Sequence, residues 1–128
     1  MLTNSFKKQE RLTGKKNFEK LLVKGQRFHV FPFTVYWQCV TNQERPVKIA
    51  ISVPKRKFKK ATERNLIKRR IRESYRTNKY ELNTFLESQN LQLHVLVVYS
   101  STEIQEFKKL NQRIIEILNH LIQASSRD

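Results

Sequence analysis

The stretch that decides the fold runs from 47 to 76 and reads VKIAISVPKRKFKKATERNLIKRRIRESYR. It opens with residues 47–53, in which apolar residues alternate with small or polar ones, as in a β-strand with one buried face. Pro54 ends this strand, and a basic loop leads into a helical pattern from about Thr62 to Lys79. The sequence therefore predicts a strand, a charged loop and an amphipathic helix in direct succession.

The helical pattern separates apolar from charged residues. At about 100° per residue, one arc of the helix is typical of a buried face and consists of Ile67, Ile71, Ser74 and Tyr75. A second arc, bordered by Arg64, consists of Asn65, Lys68, Arg69, Arg72 and Arg76. Cations spaced i,i+4 repel one another, and few acids are placed to offset them. We therefore interpret the second arc, called the basic arc below, as a surface that binds an anion.

The net charge of the chain is concentrated around this helix. The whole chain carries +15, and residues 45–76 account for +11 of it with thirteen Lys and Arg and two Glu. The cations of the preceding loop are Lys55, Arg56, Lys57, Lys59 and Lys60. A nucleic acid, an anionic membrane or an acidic protein could each match such a charge. Arginine and asparagine form bidentate hydrogen bonds with phosphates and base edges. A membrane-surface helix would need apolar residues free to insert into the lipid, but here the apolar arc is needed to cover the sheet. Nucleic acid is therefore favoured.

Four more segments have clear patterns. A short helix begins with Thr13 as its cap and stops at Gly25, a strand covers 28–40, an apolar central strand covers 91–99, and a helix covers 103–123. The order α-β-β-α-β-α predicts an α/β (α+β) two-layer sandwich with a small mixed sheet. We expect the first two strands to form a hairpin, and a further short strand to exist at a position that the pattern does not fix.

One face of the predicted sheet is suited to single-stranded RNA. Tyr36 lies on the polar face of its strand, and Phe18 and Leu22 lie on the adjoining short helix. Aromatic side chains beside an open sheet stack unpaired bases. The chain has no helix-turn-helix, zinc-finger or zipper pattern. We therefore predict a cleft for RNA rather than a DNA-binding motif.

Composition excludes several other classes of protein. The single cysteine, Cys39, cannot form an internal disulfide, and we expect it to be buried in its strand. No apolar run reaches the length of a membrane-spanning helix, and residues 1–10 lack the pattern of a secretory signal. The sequence predicts one cytoplasmic domain over 1–128, without a membrane partner, whose ends at 1–8 and 124–128 are flexible.

The chain offers little for protein-based catalysis. Its only aspartate is Asp128, and its ten glutamates are scattered, whereas a metal-dependent nuclease needs clustered carboxylates. Three histidines, His29, His94 and His120, have no spacing that defines an acid–base pair. We expect no catalytic side chain, and no metal or cofactor bound by the protein alone.

Two blocks of sequence resemble the bacterial ribonuclease P protein component. RNLIKRRIRE at 64–73, preceded by VPKRKFKKAT, is similar to the basic helix motif of that family, R-N-R-x-K-R. RLTGKKNFEKLLVKGQRF at 11–28 is similar to its opening helix, and the resemblance extends over about 7–122. Leu66 stands where the motif commonly has a cation, Leu22 where an aromatic residue is usual, and Lys59 where a glycine is usual.

The resemblance implies a fold and a task. The fold contains a left-handed crossover around the basic helix. The task is that of an RNA-binding and tRNA-binding subunit in a ribonucleoprotein endonuclease, a hydrolase of tRNA processing that removes the 5′ leader of precursor tRNA. In such a nuclease the catalytic RNA and its magnesium carry the chemistry, and one protein binds each RNA.

The resemblance also assigns residues to the two RNA partners. Contacts with the catalytic RNA are expected from the loop and basic arc residues Lys55, Arg56, Lys57, Lys60, Arg64, Asn65, Lys68, Arg69, Arg72 and Arg76. The cleft for the single-stranded leader is expected at Phe18, Leu22 and Tyr36. The alternative hypothesis is a non-catalytic RNA-binding protein, such as a ribosomal or assembly protein of the same layered architecture.

Overall fold

The computed structural model describes residues 8–126, which form a mixed α+β fold with a four-stranded open sheet, as predicted. The elements in chain order are a 3-10 helix Lys8–Glu10, α1 Lys15–Lys24, β1 Gln26–Val30, β2 Phe33–Val40, β3 Val47–Ser52, α2 Ala61–Asn78, α3 Tyr80–Ser88, β4 Gln92–Tyr99 and α4 Phe107–Ser125. Of the ends predicted to be flexible, 1–8 and 124–128, residues 1–7 and 127–128 lie outside the described residues. Ala124 and Ser125 belong to α4.

β4 lies inside the sheet, whose strand order is β1-β2-β4-β3. Val95 of β4 is opposite Trp37 of antiparallel β2 on one side and opposite Ile49 of parallel β3 on the other. The predicted hairpin of β2 with β3 is therefore wrong. β4 is apolar on both faces, so it takes the interior position and separates the two strands. The parallel pair β3–β4 is joined by a crossover through α2 and α3, and the left-handed sense of this crossover stays a prediction.

The further short strand expected from the sequence is β1. The segment interpreted as one strand over 28–40 is a hairpin, because the chain reverses at Phe31 and Pro32, which are joined by a cis peptide bond. β1 pairs antiparallel with β2, with Phe28 opposite Val35. Apolar and β-branched residues lie on both sides of the turn, so the sequence pattern runs through it without a visible break.

The helix ends differ from the predicted ones. Gly14, with φ of 96°, occupies the N-cap of α1 instead of Thr13, whose carbonyl oxygen accepts a hydrogen bond from Asn17 Nδ2. Gly25 ends α1 as predicted, and its N–H donates to Leu21 O at 2.9 Å.

The later helices also depart from the pattern-based bounds. α2 ends at Asn78, and the separate helix α3 was not predicted, because helical residues continue past the break at Lys79. α4 begins at Phe107 rather than 103, and Ile104 precedes it as an exposed residue.

The two faces of the sheet are covered differently. The main core lies between one face and the helices α2, α3 and α4, and it includes Phe33, Val35, Ile67 and Ile71. The other face carries a smaller cluster in which Leu12 and Leu21 cover Leu96 of β4. Cys39, next to the last residue of β2, is exposed, contrary to prediction. On the other face α1 covers only part of the sheet, and an open cleft lies beside it.

Polar contacts fix the rotation of α2 about its axis. Ser74 is buried, as predicted, and its hydroxyl donates to Asn111 Oδ1 of α4 at 2.7 Å. Asn78 Nδ2 donates to the same oxygen at 2.9 Å. Arg70, which lies off the basic arc, donates to the carbonyl oxygen of Gln105 at 2.7 Å. These bonds tie one side of α2 to α4 and to the segment just before it, so the basic arc points away from α4.

A buried ion pair joins the start of the described chain to the junction of α2 and α3. Lys79 Nζ lies 2.7 Å and 2.9 Å from the two carboxylate oxygens of Glu10, and both residues are about 95% buried, with 6% and 5% exposed. Tyr75 is packed nearby, and burial, followed by the charge of Glu10, raises the pKa of its hydroxyl. Breaking a buried pair leaves one charge without compensation, which costs much more than an exposed pair contributes.

We expect Lys79→Met to lower the free energy of unfolding by about 3–5 kcal/mol, because it leaves the Glu10 carboxylate buried without its cation. Lys109→Met, at an exposed site on α4, is the matched control and should change stability by less than about 0.5 kcal/mol. Urea unfolding of both variants and of the double variant Glu10→Leu/Lys79→Met measures the effect. The double variant should lose less than the sum of its single losses, and simple additivity would contradict the ion pair.

Candidate nucleic-acid interface

The basic arc lies on the solvent side of α2, opposite Ile67, Ile71 and Tyr75, which are buried. Seven of the ten residues assigned to RNA make no side-chain hydrogen bond or ion pair within residues 8–126. They are Lys55, Arg56, Lys60, Asn65, Lys68, Arg69 and Arg72. All except Lys68, which is partly buried, are exposed. Their donors are therefore available to an external ligand.

Two of the other predicted residues organise the basic loop. Arg64 Nη1 donates to the carbonyl oxygens of Phe58 at 2.7 Å and Lys59 at 2.9 Å. Lys57 Nζ donates to Ser100 O, at the end of β4, at 2.6 Å. Phe58 is buried between them and anchors the loop to the core. These side chains hold the loop in place, so the neighbouring Lys55, Arg56 and Lys60 project from a fixed backbone.

The third paired residue lies at the far end of the basic arc. The guanidinium of Arg76 donates from Nε at 3.0 Å and from Nη2 at 2.6 Å to the two carboxylate oxygens of Glu73. This hydrogen-bonded contact lowers the pKa of Glu73. The pair offsets the positive charge of Arg76, so the cations of the arc without an acidic partner among residues 8–126 are Lys68, Arg69 and Arg72.

The structure brings two of the predicted cleft residues together and leaves the third at the rim. Phe18 and Tyr36 are partly buried and pack against the cluster of Leu12, Leu21 and Leu96. Leu22 is 50% exposed and is not part of that cluster. Phe18 and Tyr36 therefore form the apolar wall and floor of the cleft, whereas Leu22 can contact a ligand only at its edge.

A pocket of about 200 Å³ connects the cleft with the basic arc. Its lining residues are Arg11, Leu12, Thr13, Phe18, Ile49, Ala50, Ile51 and Arg72. The segment before α1 forms one wall, because Leu12 N–H donates to Ile49 O of β3 at 3.0 Å. Sequence reasoning missed Arg11 as a site residue, although it begins the block 11–28, because its approach to β3 is a tertiary contact. An aromatic ring and two guanidinium groups thus share one opening.

The sheet face next to Tyr36 holds a second group of residues that sequence reasoning did not assign. Gln38, His94 and Lys48 lie side by side on β2, β4 and β3, in the row adjacent to Tyr36, Leu96 and Ala50. The alternation of residues 47–53 places Lys48 outward, and that signal could have found it. The three strands lie side by side only in the folded sheet, so the sequence pattern alone does not bring the three residues together.

The described residues hold no candidate metal centre. Among residues 8–126, no three His, Cys, Asp or Glu side chains are grouped so as to hold a metal ion. The histidines are dispersed: His29 Nδ1 is 3.0 Å from Thr34 Oγ1, His94 contacts Gln43, and the ring of His120 lies 3.9 Å from that of Phe28. None of the helices in this range is long and apolar enough to span a membrane.

Fold and charge together define a class of protein: a small basic α+β protein whose cations lie beside an open cleft. A family model described as Ribonuclease P matches residues 6–122. The ribonuclease P protein component of Porphyromonas gingivalis is 28% identical over 111 residues, covering 86% of this chain and 81% of the relative. That of Petrotoga mobilis is 48% identical over 75 residues, covering 59% of this chain and 61% of the relative.

A solved structure shows the same fold. The ribonuclease P protein from Thermotoga maritima superposes with a TM-score of 0.70 at 22% identity, covering 87% of this chain and 96% of that chain. The chain belongs to the ribonuclease P protein family, since the family model spans most of its length. Members of this family are tRNA-processing components of a ribonucleoprotein and partner the ribonuclease P RNA.

Proposed function

We propose that this protein is the subunit of a ribonuclease P holoenzyme that binds both the catalytic RNA and the 5′ leader of precursor tRNA. The basic arc and its loop bind the catalytic RNA, and the cleft between α1 and the sheet holds the leader. The observation that carries this assignment is the pocket lined by both Phe18 and Arg72, because it joins the two surfaces. A strand lying along the cleft reaches the basic arc without leaving the protein surface.

The two surfaces differ in the chemistry they offer to RNA. The basic arc offers guanidinium and ammonium groups, which contact phosphates and release counterions. The cleft offers the rings of Phe18 and Tyr36, on which unpaired bases can stack without regard to sequence. A folded RNA fits the first surface and a single strand fits the second. This division supports one protein contacting two RNA partners at once.

The chemistry of cleavage is assigned to the catalytic RNA and its magnesium. The described residues offer no set of carboxylates suited to holding metal ions for phosphodiester hydrolysis. The protein would bind and orient the leader and reduce repulsion between the two RNA backbones. The holoenzyme would then cut the precursor endonucleolytically and release the mature tRNA 5′ end. We assign one protein to each RNA, acting in the bacterial cytoplasm, where precursor tRNA is made.

The whole proposal is tested by cleavage of precursor tRNA at low magnesium. The assay uses the protein alone, the cognate catalytic RNA alone, and both together. We expect leader removal only when the RNA is present, and much faster removal when the protein is added, because its cations replace part of the magnesium that screens the phosphates. An unchanged rate on adding protein would favour the alternative of a non-catalytic RNA-binding protein.

Arg69→Ala in the basic arc should weaken binding of the catalytic RNA, because an exposed guanidinium without an acidic partner among residues 8–126 is lost. The measurement is affinity against salt concentration. Each phosphate contact contributes about 0.7–0.9 to the log–log slope, so the slope should fall by about that amount. Lys109→Ala on α4 is the control and should leave the slope unchanged. Equal slopes for wild type and Arg69→Ala would show that Arg69 is only solvated.

Tyr36→Leu should weaken binding of leader-bearing precursor tRNA by about 1–3 kcal/mol while sparing mature tRNA, because it removes a stacking ring but keeps apolar bulk against Leu96. Affinities of the reconstituted holoenzyme for both RNAs measure the difference. The matched control is Tyr80→Leu, at a 56% exposed site on α3. Equal losses for precursor and mature tRNA would contradict leader contact at Tyr36.

A further inference from the structure

The cleft floor continues beyond Tyr36 into a polar row. The row that contains Tyr36 also contains Leu96 and Ala50. The next row on the same face consists of Gln38 of β2, His94 of β4 and Lys48 of β3. α1 packs across β2 and β4 on this face, through Leu21 against Leu96. Lys20 precedes Leu21 and acts electrostatically on His94. His94 therefore lies next to Lys48 on the sheet, at the end of the proposed leader cleft, with Lys20 of α1 on the same face.

A hydrogen-bond network determines which ring nitrogen of His94 carries the proton. Gln43 Nε2 donates to the carbonyl oxygens of Leu93 at 3.2 Å and Pro46 at 3.4 Å. Gln43 Oε1 is therefore the atom that faces His94 Nε2, at 3.1 Å, and an amide oxygen can only accept. His94 Nε2 must be the donor. In the neutral ring, Nδ1 is then the unprotonated nitrogen, and it is the atom that gains a proton when the ring becomes charged.

The surroundings of His94 disfavour its charged form while no anion is present. Partial burial of the ring, followed by the charges of Lys48 and Lys20, lowers its pKa. Its neighbours are neutral Gln38 of β2 and Gln43 of the loop before β3, and the cation Lys48 of β3, while the charge of Lys20 of α1 also acts on it. Two lysines and a histidine that can become positively charged therefore form a site suited to an anion.

We propose that Lys20, Lys48 and His94 form a binding site for a backbone phosphate of the single-stranded leader, and that His94 takes up a proton at Nδ1 when the phosphate binds. The inference rests on the proposed function, since it assigns the next step of the leader path beyond Tyr36. The bound phosphate contributes one negative charge between the lysines, which favours the imidazolium. The proton comes from solvent, and no covalent bond is made or broken.

The first test is a titration of His94 by NMR in the full-length protein, with and without a single-stranded RNA oligonucleotide of leader length. We expect the pKa of His94 to rise on adding the oligonucleotide, whereas the ring signals of His120, which packs on Phe28 on the other face of the sheet, should not respond to the RNA. Lys48→Ala should raise the pKa of His94 in the free protein and reduce the rise caused by RNA. An unchanged His94 pKa with bound oligonucleotide would overturn the proposal.

Inorganic phosphate, at a concentration matching that of the RNA phosphates, distinguishes the source of the anion. We expect inorganic phosphate to change the pKa of His94 only slightly, because a leader anchored at Tyr36 presents its phosphate at high effective concentration. An equal rise of the His94 pKa with inorganic phosphate would overturn the assignment to the leader and indicate a general anion site.

The second test measures affinity of the holoenzyme for precursor tRNA from about pH 8 to about pH 5, the range in which histidine titrates. Affinity for long-leader precursor should rise as pH falls, by at most about tenfold per pH unit, the limit for uptake of one proton. His94→Gln, which keeps a polar side chain opposite Gln43, should remove this dependence, and His120→Gln should retain it.

The two proposals fail in different ways. Suppose that the holoenzyme prefers leader-bearing over mature tRNA, and that the pH dependence of its affinity is the same in His94→Gln as in wild type. This result would overturn the phosphate site alone. Loss of any preference for the leader in the wild-type holoenzyme would instead overturn the proposed function on which the site depends.

Discussion

The parallel pairing of β3 with β4 constrains the rest of the molecule. Strands that run in the same direction cannot be joined by a tight turn, so the chain must leave the sheet after Ser52 and return to the opposite end before Gln92. The return path contains the basic loop, α2 and α3. Because the apolar side of α2 has to cover the sheet, its charged side faces solvent along its whole length. The position of the basic arc is thus a consequence of strand direction.

Some cations of this protein make contacts within the fold, and others are available to a partner. Arg64, Lys57 and Arg70 donate hydrogen bonds to backbone carbonyl oxygens, and Lys79 neutralises a buried carboxylate. These contacts hold the loop and helix that present the remaining cations. A net charge of +15 therefore overstates what is available to a partner. The carbonyl oxygens and the carboxylate that these four cations contact offset part of the repulsion between like charges.

The parts of the structure that depend on local sequence could be predicted. The buried face of α2 was found because helical periodicity requires only neighbouring residues, and Ile67, Ile71 and Tyr75 are buried as expected. Strand partners could not be found, because alternation shows which face is apolar but not which strand lies beside it. The approach of Arg11 to β3 joins parts of the chain far apart in sequence, so no local pattern records it. The family resemblance pointed to Phe18 and Tyr36 but not to the row through His94.

Gly25 has a consequence for the cleft beside α1. A β-carbon at this position would lie 2.4 Å from Leu21 O and 3.1 Å from Trp37 O, so the helix end and the sheet meet with no space for a side chain. The following residue already begins β1. The end of α1 is thereby joined directly to the sheet, with Gly25 as the one residue between the helix and β1. Under the proposed function, a leader would bind beside a helix that is already packed on the sheet, which would limit the entropy lost by the protein on binding.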